Sequence, residues 1–177
     1  MKANYSYFIT LLLTLLMMAC SYTGEYREVQ INDLYAMSFP DFMMEEKDKK
    51  LSQTALLQYC NYFRNIYTIV NHYPKTAMND SVSMATLGHE KYKATVQLLE
   101  RPQFIDSTQL TISGLPARQY QFTGTVGIET VSERIFYNLV LVESPTHYYE
   151  IVFWTWDSWR EKYKEDLPKI INSFHEL

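Results

Sequence analysis

The sequence predicts an α+β fold in which an antiparallel β-sheet is sandwiched between helices, an α/β/α arrangement. Two observations carry this. Leu115–Gly127, Arg134–Glu143 and Tyr148–Trp156 read as three consecutive strands, set off by turn signals at Ser113-Gly114 and Ser144-Pro145. The last two are apolar at both parities, with Ile135, Tyr137, Leu139 and Leu141 opposing Phe136, Val140 and Val142, and Tyr149, Ile151 and Phe153 opposing Tyr148, Val152, Trp154 and Trp156. Successive strand side chains point to opposite faces, so strands apolar on both need cover on both. The second observation is a helical stripe on each side of this meander in sequence, one helix for each face.

Taken in order, residues 1–19 read as a signal peptide. Lys2 supplies a positive n-region and Phe8–Met18 an apolar run shorter than the about 20 residues that span a bilayer. The run ends Met17-Met18-Ala19-Cys20. This resembles a bacterial lipoprotein signal, in which the Cys is acylated (with palmitate among the chains) and becomes the new N-terminus. The resemblance makes Cys20 the lipid attachment site, residues 20–25 a tether, and the membrane a partner through the lipid. Ser21 after Cys20 fits delivery to the outer membrane, facing the periplasm or the cell exterior. With Cys20 lipidated, Cys60 is the one thiol left, which excludes an intrachain disulfide and favours a buried small hydrophobe.

Residues 26–177 read as one domain, long enough to bury roughly 70% of its unfolded surface. Its aromatic content, with 15 Tyr in the chain, tilts towards β structure. Tyr26–Ile31 and Leu34–Met44 read as strands around an Asn32-Asp33 turn, followed by a solvated charge run at Glu45–Lys50. Ala55–Tyr73 fits two periods. Leu56, Cys60, Phe63, Tyr67 and Val70 make a helical stripe, whereas Leu57, Tyr59 and Phe63, then Tyr67, Ile69 and Tyr73, alternate around Arg64-Asn65. The aromatic and β-branched content favours the hairpin. Asp80 or Ser81 can cap a helix running to about Glu100, with Met84, Leu87, Gly88, Tyr92, Val96 and Leu99 on its stripe and Pro102 past its end. After the meander, a second helix runs from Asp157 or Ser158 to about residue 175, with a break near Asp166-Leu167 caused by Pro168.

Three segments together resemble the PsbP-like superfamily, which includes the photosystem II extrinsic subunit, the Ran-binding nuclear import regulators and many exported bacterial proteins. They are Tyr35-Ala-Met-Ser-Phe-Pro-Asp-Phe, Ser113-Gly-Leu-Pro-Ala-Arg-Gln-Tyr and Leu167-Pro-Lys-Ile-Ile-Asn-Ser-Phe. A Trp common soon after the first Pro in that family is replaced by Met43. The resemblance implies an antiparallel sheet between helices and carries no activity, because fold does not fix function.

No motif of catalysis accompanies this. His72, His89, His147 and His175 are scattered without metal-ligand spacing, so neither a metal nor another cofactor is expected. No nucleophile elbow is present, and Gly124-Thr-Val-Gly127 lacks the spacing of a phosphate cradle. Glu129, Glu133 and Glu143 are the carboxylates that an envelope hydrolase acting on glycan or lipid would use. A net charge of −4 with no basic stripe argues against nucleic acid. Trp154, Trp156 and Trp159 cluster at the end of the last strand. They either seal a sheet–helix corner or mark a docking surface. The expected function is a lipid-anchored, non-catalytic binding or assembly module that docks onto another envelope component, with a hydrolase or a small-ligand carrier as the alternatives.

Overall fold

The computed structural model describes residues 24–79, 81–127 and 133–177. The signal segment, Cys20, Asp80 and Glu129 lie outside the described residues. Among the described residues, ten strands form two antiparallel sheets. The large one has the order β3-β4-β5-β9-β8-β7-β6 and the small one β1-β2-β10.

The meander stands at the centre of the large sheet as β7 (Leu115–Thr125), β8 (Arg134–Glu143) and β9 (His147–Trp156). Its two apolar faces divide as their alternation requires. Phe136, Val140, Val142, Tyr149, Ile151 and Phe153 enter one core, while Leu139 and Val152 enter a second on the opposite face. Residues 55–74 are the hairpin β4 (Leu57–Asn61) and β5 (Ile66–Pro74), the latter paired with β9. A short 3₁₀ turn, Tyr62–Arg64, and a left-handed Asn65 (φ 43°) close it. Phe63 sits in that turn, 95% exposed, rather than on the alternating face. Cys60 is buried, and burial pushes its thiol up.

The Asn32-Asp33 turn joins β1 (Tyr26–Ile31) to β2 (Tyr35–Pro40), with φ of 47° and 55° at the two turn residues, the Leu34 amide donating to the Ile31 carbonyl at 2.8 Å and Ile31 paired opposite Tyr35. The second strand ends at Pro40, not at Met44. Met44–Glu45 is the separate short β3 on the edge of the large sheet. The first hairpin does not extend that sheet. It lies over it, so that Tyr35, Met37 and Phe39 share a core with Leu57, Val70, Val140 and Ile151.

The first helix, α1 (Met84–Val96), is capped by the Ser83 hydroxyl, which accepts from the Thr86 amide. Leu87 and Gly88 are its buried residues, and Tyr92, Val96 and Leu99 pack on the second core. A Cβ at Gly88 would come within 2.9 Å of the Tyr120 ring, so the helix sits as close to the sheet as a bare backbone permits. The helix ends before the expected Glu100. Residues Glu100–Ile112 are the 13-residue edge strand β6, which the sequence reading missed. Pro102 is not a helix stop. It falls in a bulge between Glu100 and Gln103 beside a left-handed Arg101 (φ 48°), where an edge strand tolerates proline.

The closing segment also departs from a single broken helix. Asp157–Tyr163 is 3₁₀, and α2 is Asp166–Asn172. The break falls at Lys164-Glu165, which places Pro168 in the first turn of α2, where its missing N–H costs little. The chain then ends as strand β10 (His175–Glu176), paired with β2. One helix per face therefore holds, but α2 shares its face with the small sheet.

At the end of β5, the His72 ring lies 5.7 Å from that of His147, which in turn lies 5.7 Å from Tyr149. Burial and the neighbouring His147 hold His72 below its ordinary value of 6.5. A histidine depressed in the folded state binds fewer protons than in the unfolded chain. Its contribution is therefore full above pH 6.5 and is lost as pH falls through the folded value. The melting temperature should fall on going below this pH, and His72→Gln should flatten that limb of the profile. An unchanged limb in the variant would assign it to other groups.

Candidate functional site

The face of the large sheet that carries α1 bears a row of aromatic side chains. Tyr67 on β5 is opposite Trp154 on β9, Trp154 opposite Tyr137 on β8, Tyr137 opposite Phe122 on β7, and Phe122 opposite Phe104 on β6. One rung thus crosses five adjacent strands. Tyr67 and Trp154 stack with ring centroids 5.3 Å apart and planes 11° from parallel. The Tyr137–Trp154 pair is 6.4 Å apart at 25°, and Phe122–Tyr137 is 5.3 Å apart at 8°. Directly opposed strand residues are close enough for such contacts, each contributing up to about 1 kcal/mol.

Tyr92 of α1 stands over the far end of the row, edge-on to Phe122 at 5.1 Å and to Phe104 at 5.9 Å. Tyr67, Trp154 and Tyr137 remain half-buried. Tyr62, about half exposed, extends the row from the hairpin turn, 5.7 Å from Tyr67 and edge-on. Burial pushes the Tyr137 phenol up to about 12 and also raises that of Tyr67.

Near-parallel rings at strand spacing cover one another's faces and present their edges outward. A sugar stacks on a free ring face, so this row is poorly suited to be a carbohydrate platform. Edge-on, partly desolvated aromatics with phenolic hydroxyls suit contact with protein side chains.

The three tryptophans singled out by sequence occupy two places. Trp154 is the centre of the row. Trp156, two residues on and on the same face, meets Trp159 edge-on at 5.5 Å, and Trp159 packs against the first core while Lys162 Nζ lies 4.3 Å above its ring. All three are half-buried. Tyr67, Tyr137, Phe122 and Phe104 were not singled out in the sequence. Their signal was the cross-strand register, which appears only when the strand order is known.

A polar network ties α1 to the same face. Glu150, buried on β9, accepts from Asn71 at 3.0 Å and from Tyr73 at 2.5 Å, and Lys91 of α1 donates to Tyr73 at 2.6 Å. Lys91 Nζ is also 3.9 Å from the Glu150 carboxylate and over the Tyr73 ring. Burial and the Glu150 charge raise the Tyr73 phenol far above its ordinary range, so it stays a donor.

Of the acidic residues considered for hydrolysis, Glu143 is held by Lys75 at 2.8 Å and by the Tyr148 hydroxyl at 3.2 Å. That is the setting of a structural ion pair. Among the described residues, no three His, Cys, Asp or Glu side chains converge as a metal site would need, and no helix is long and apolar enough to cross a membrane.

No protein-family model matches the sequence, and no curated protein matches it. Solved structures do. CyanoP, the cyanobacterial PsbP of Synechocystis sp. PCC 6803, superposes with a TM-score of 0.62 at 12% identity, over 89% of this chain and 97% of its own. The Saccharomyces cerevisiae Ran-binding protein Mog1p gives 0.58 at 10% identity, over 86% and 96%. LpqN of Mycobacterium tuberculosis, involved in cell envelope biogenesis, gives 0.58 at 10% identity, over 87% and 91%. Likeness at such identities is likeness of fold. Two stacked antiparallel sheets, a helix on each face of the larger one and superposition across nearly the whole chain give one conclusion: this protein has the PsbP-like α+β fold.

Proposed function

We propose that this chain is a lipid-anchored cell-envelope protein that binds another envelope protein and catalyses nothing itself. The half-buried aromatic row Tyr67–Trp154–Tyr137, extended by Tyr62, carries this reading. Aromatic residues are enriched where binding energy concentrates, and a rigid sheet presents them at little entropic cost. Support also comes from the fold's use elsewhere, since Mog1p is a Ran-binding protein and LpqN is involved in cell envelope biogenesis. The anchor reading rests on the Met17-Met18-Ala19-Cys20 pattern. A tether of residues 20–25 reaches at most about 20 Å and would hold the domain beside the bilayer.

Two measurements in intact cells test this. Cys20→Ser should abolish lipid labelling and move the protein out of the membrane fraction, and a membrane-bound, lipid-labelled variant would overturn the anchor. A photo-crosslinking residue at Tyr67 or Trp154 should capture one envelope protein that the same residue at Gln109, on the opposite edge, does not. Tyr137→Ala should reduce that capture about tenfold, a loss in line with an interface anchor of over 1 kcal/mol. Equal capture from Gln109 would remove the row as the docking surface.

A further inference from the structure

On the other face of the large sheet, a cleft of about 330 Å³ opens between β7, β8 and β9 and the Arg160–Asn172 segment. That volume lies near the lower end of the roughly 300–1,000 Å³ usual for small-molecule sites. Its lining is mixed, with Leu110, Phe136, Phe153, Leu167 and Ile171 apolar and Gln119, Gln121 and Asn172 polar. Its polar groups are the unusual part. Thr155 lines the cleft at 1% exposure, and its hydroxyl has no hydrogen-bond partner among the described residues. Asn138, fully buried, stands in register between Gln121 and Phe153, both cleft residues, and neither atom of its amide has a partner among the described residues. Buried polar groups are almost always satisfied, and each one left open costs about 1–3 kcal/mol. Of these groups, the Thr155 hydroxyl is itself on the wall of the cleft, and a buried donor left open there is one that a ligand can satisfy.

The charge at the mouth selects the ligand. Glu161 pairs with Lys164 at 3.4 Å, whereas Arg160 has no carboxylate within ion-pair distance among the described residues. Its guanidinium lies 4.7 Å over the Phe136 ring, and Phe136 is directly opposite Thr155. A guanidinium and a hydroxyl donor thus flank the same corner, with aromatic and aliphatic walls leading away from it.

We propose that this cleft binds a small amphipathic carboxylate. Its acid group accepts from Arg160 and the Thr155 hydroxyl, and its apolar body lies along Phe153, Leu167 and Ile171. The site is separate from the aromatic row on the opposite face and does not rest on the docking reading. Phenylacetate is a suitable probe, and phenylacetamide its uncharged isostere.

The test is methyl NMR of the full chain in lipid nanodiscs, with empty discs as the partition control. Phenylacetate should shift the methyls of Leu110, Leu167 and Ile171, with phenylacetamide binding about tenfold more weakly, as expected when a charge-assisted hydrogen bond is lost. Arg160→Gln, at a partly exposed position, should weaken phenylacetate by a similar factor while lowering the melting temperature by only a few degrees, the loss of its contact with the Phe136 ring. Thr155→Val should weaken phenylacetate yet hold or raise the melting temperature, because it removes an unsatisfied buried hydroxyl. No shift at these methyls up to about 10 mM phenylacetate, a limit that already admits very weak binding, would overturn the proposal. So would equal affinity for the amide, or variants that bind as the parent does.

Discussion

Phe174→Ala should lower the folding free energy by about 4 kcal/mol, the range for emptying a fully buried aromatic site. Phe174 has no exposed surface and lies between the two sheets, with its ring 5.5 Å from Tyr35 on β2 and 5.0 Å from Tyr149 on β9. Its carbonyl accepts from the Ser113 hydroxyl in the turn before β7. It is followed directly by β10, where Glu176 accepts from Tyr149 at 2.9 Å and from Ser144 at 2.7 Å. Loss of the ring removes the contact that seats the terminal strand on both sheets. Urea denaturation should show a lower midpoint with an unchanged slope, and thermal melting a fall of roughly 10 °C. A loss below about 1 kcal/mol would mean that the sheets do not depend on this plug for their packing.

The second large effect lies at the base of α1. Lys91→Met should cost about 2 kcal/mol, because the Glu150 carboxylate, with its side chain 8% exposed, would lose its cation while keeping its Asn71 and Tyr73 donors. Replacing both residues, Lys91→Met with Glu150→Met, should recover part of this loss, since an apolar pair is often no worse than a buried ion pair. The double-mutant cycle would then show coupling, whereas purely additive losses would argue that the two charges do not interact. Helix α1 packs over β7 and β8. Its loosening should therefore also disturb Tyr92 and with it the aromatic row, visible as altered fluorescence of Trp154.

Much of the architecture was legible because periodicity is local. The two-faced alternation of β8 and β9, the Asn32-Asp33 turn and the stripe from Leu87 to Leu99 follow from strand and helix geometry acting on neighbouring residues. Where the reading failed, the deciding interaction was distant. Glu100–Ile112 is mostly exposed and polar and contains Pro102. Nothing within it announces a strand. It is one because β7 offers an unpaired edge. Likewise, His175–Glu176 becomes β10 because β2 lies alongside it.

The candidate sites divide in the same way. The sequence by itself determined the Met17-Met18-Ala19-Cys20 run, a two-faced central meander, and the presence of Trp154, Trp156 and Trp159 near its end. Only the tertiary structure decided that Trp154 stacks between Tyr67 and Tyr137, residues 87 and 17 positions away in the chain. It also decided that Thr155, one residue further and facing the other way, opens into a cleft beneath α2. Side-chain direction alternates residue by residue and can be read along a chain. Which side chains meet depends on strand order and register, and those are settled by burial summed over the whole fold.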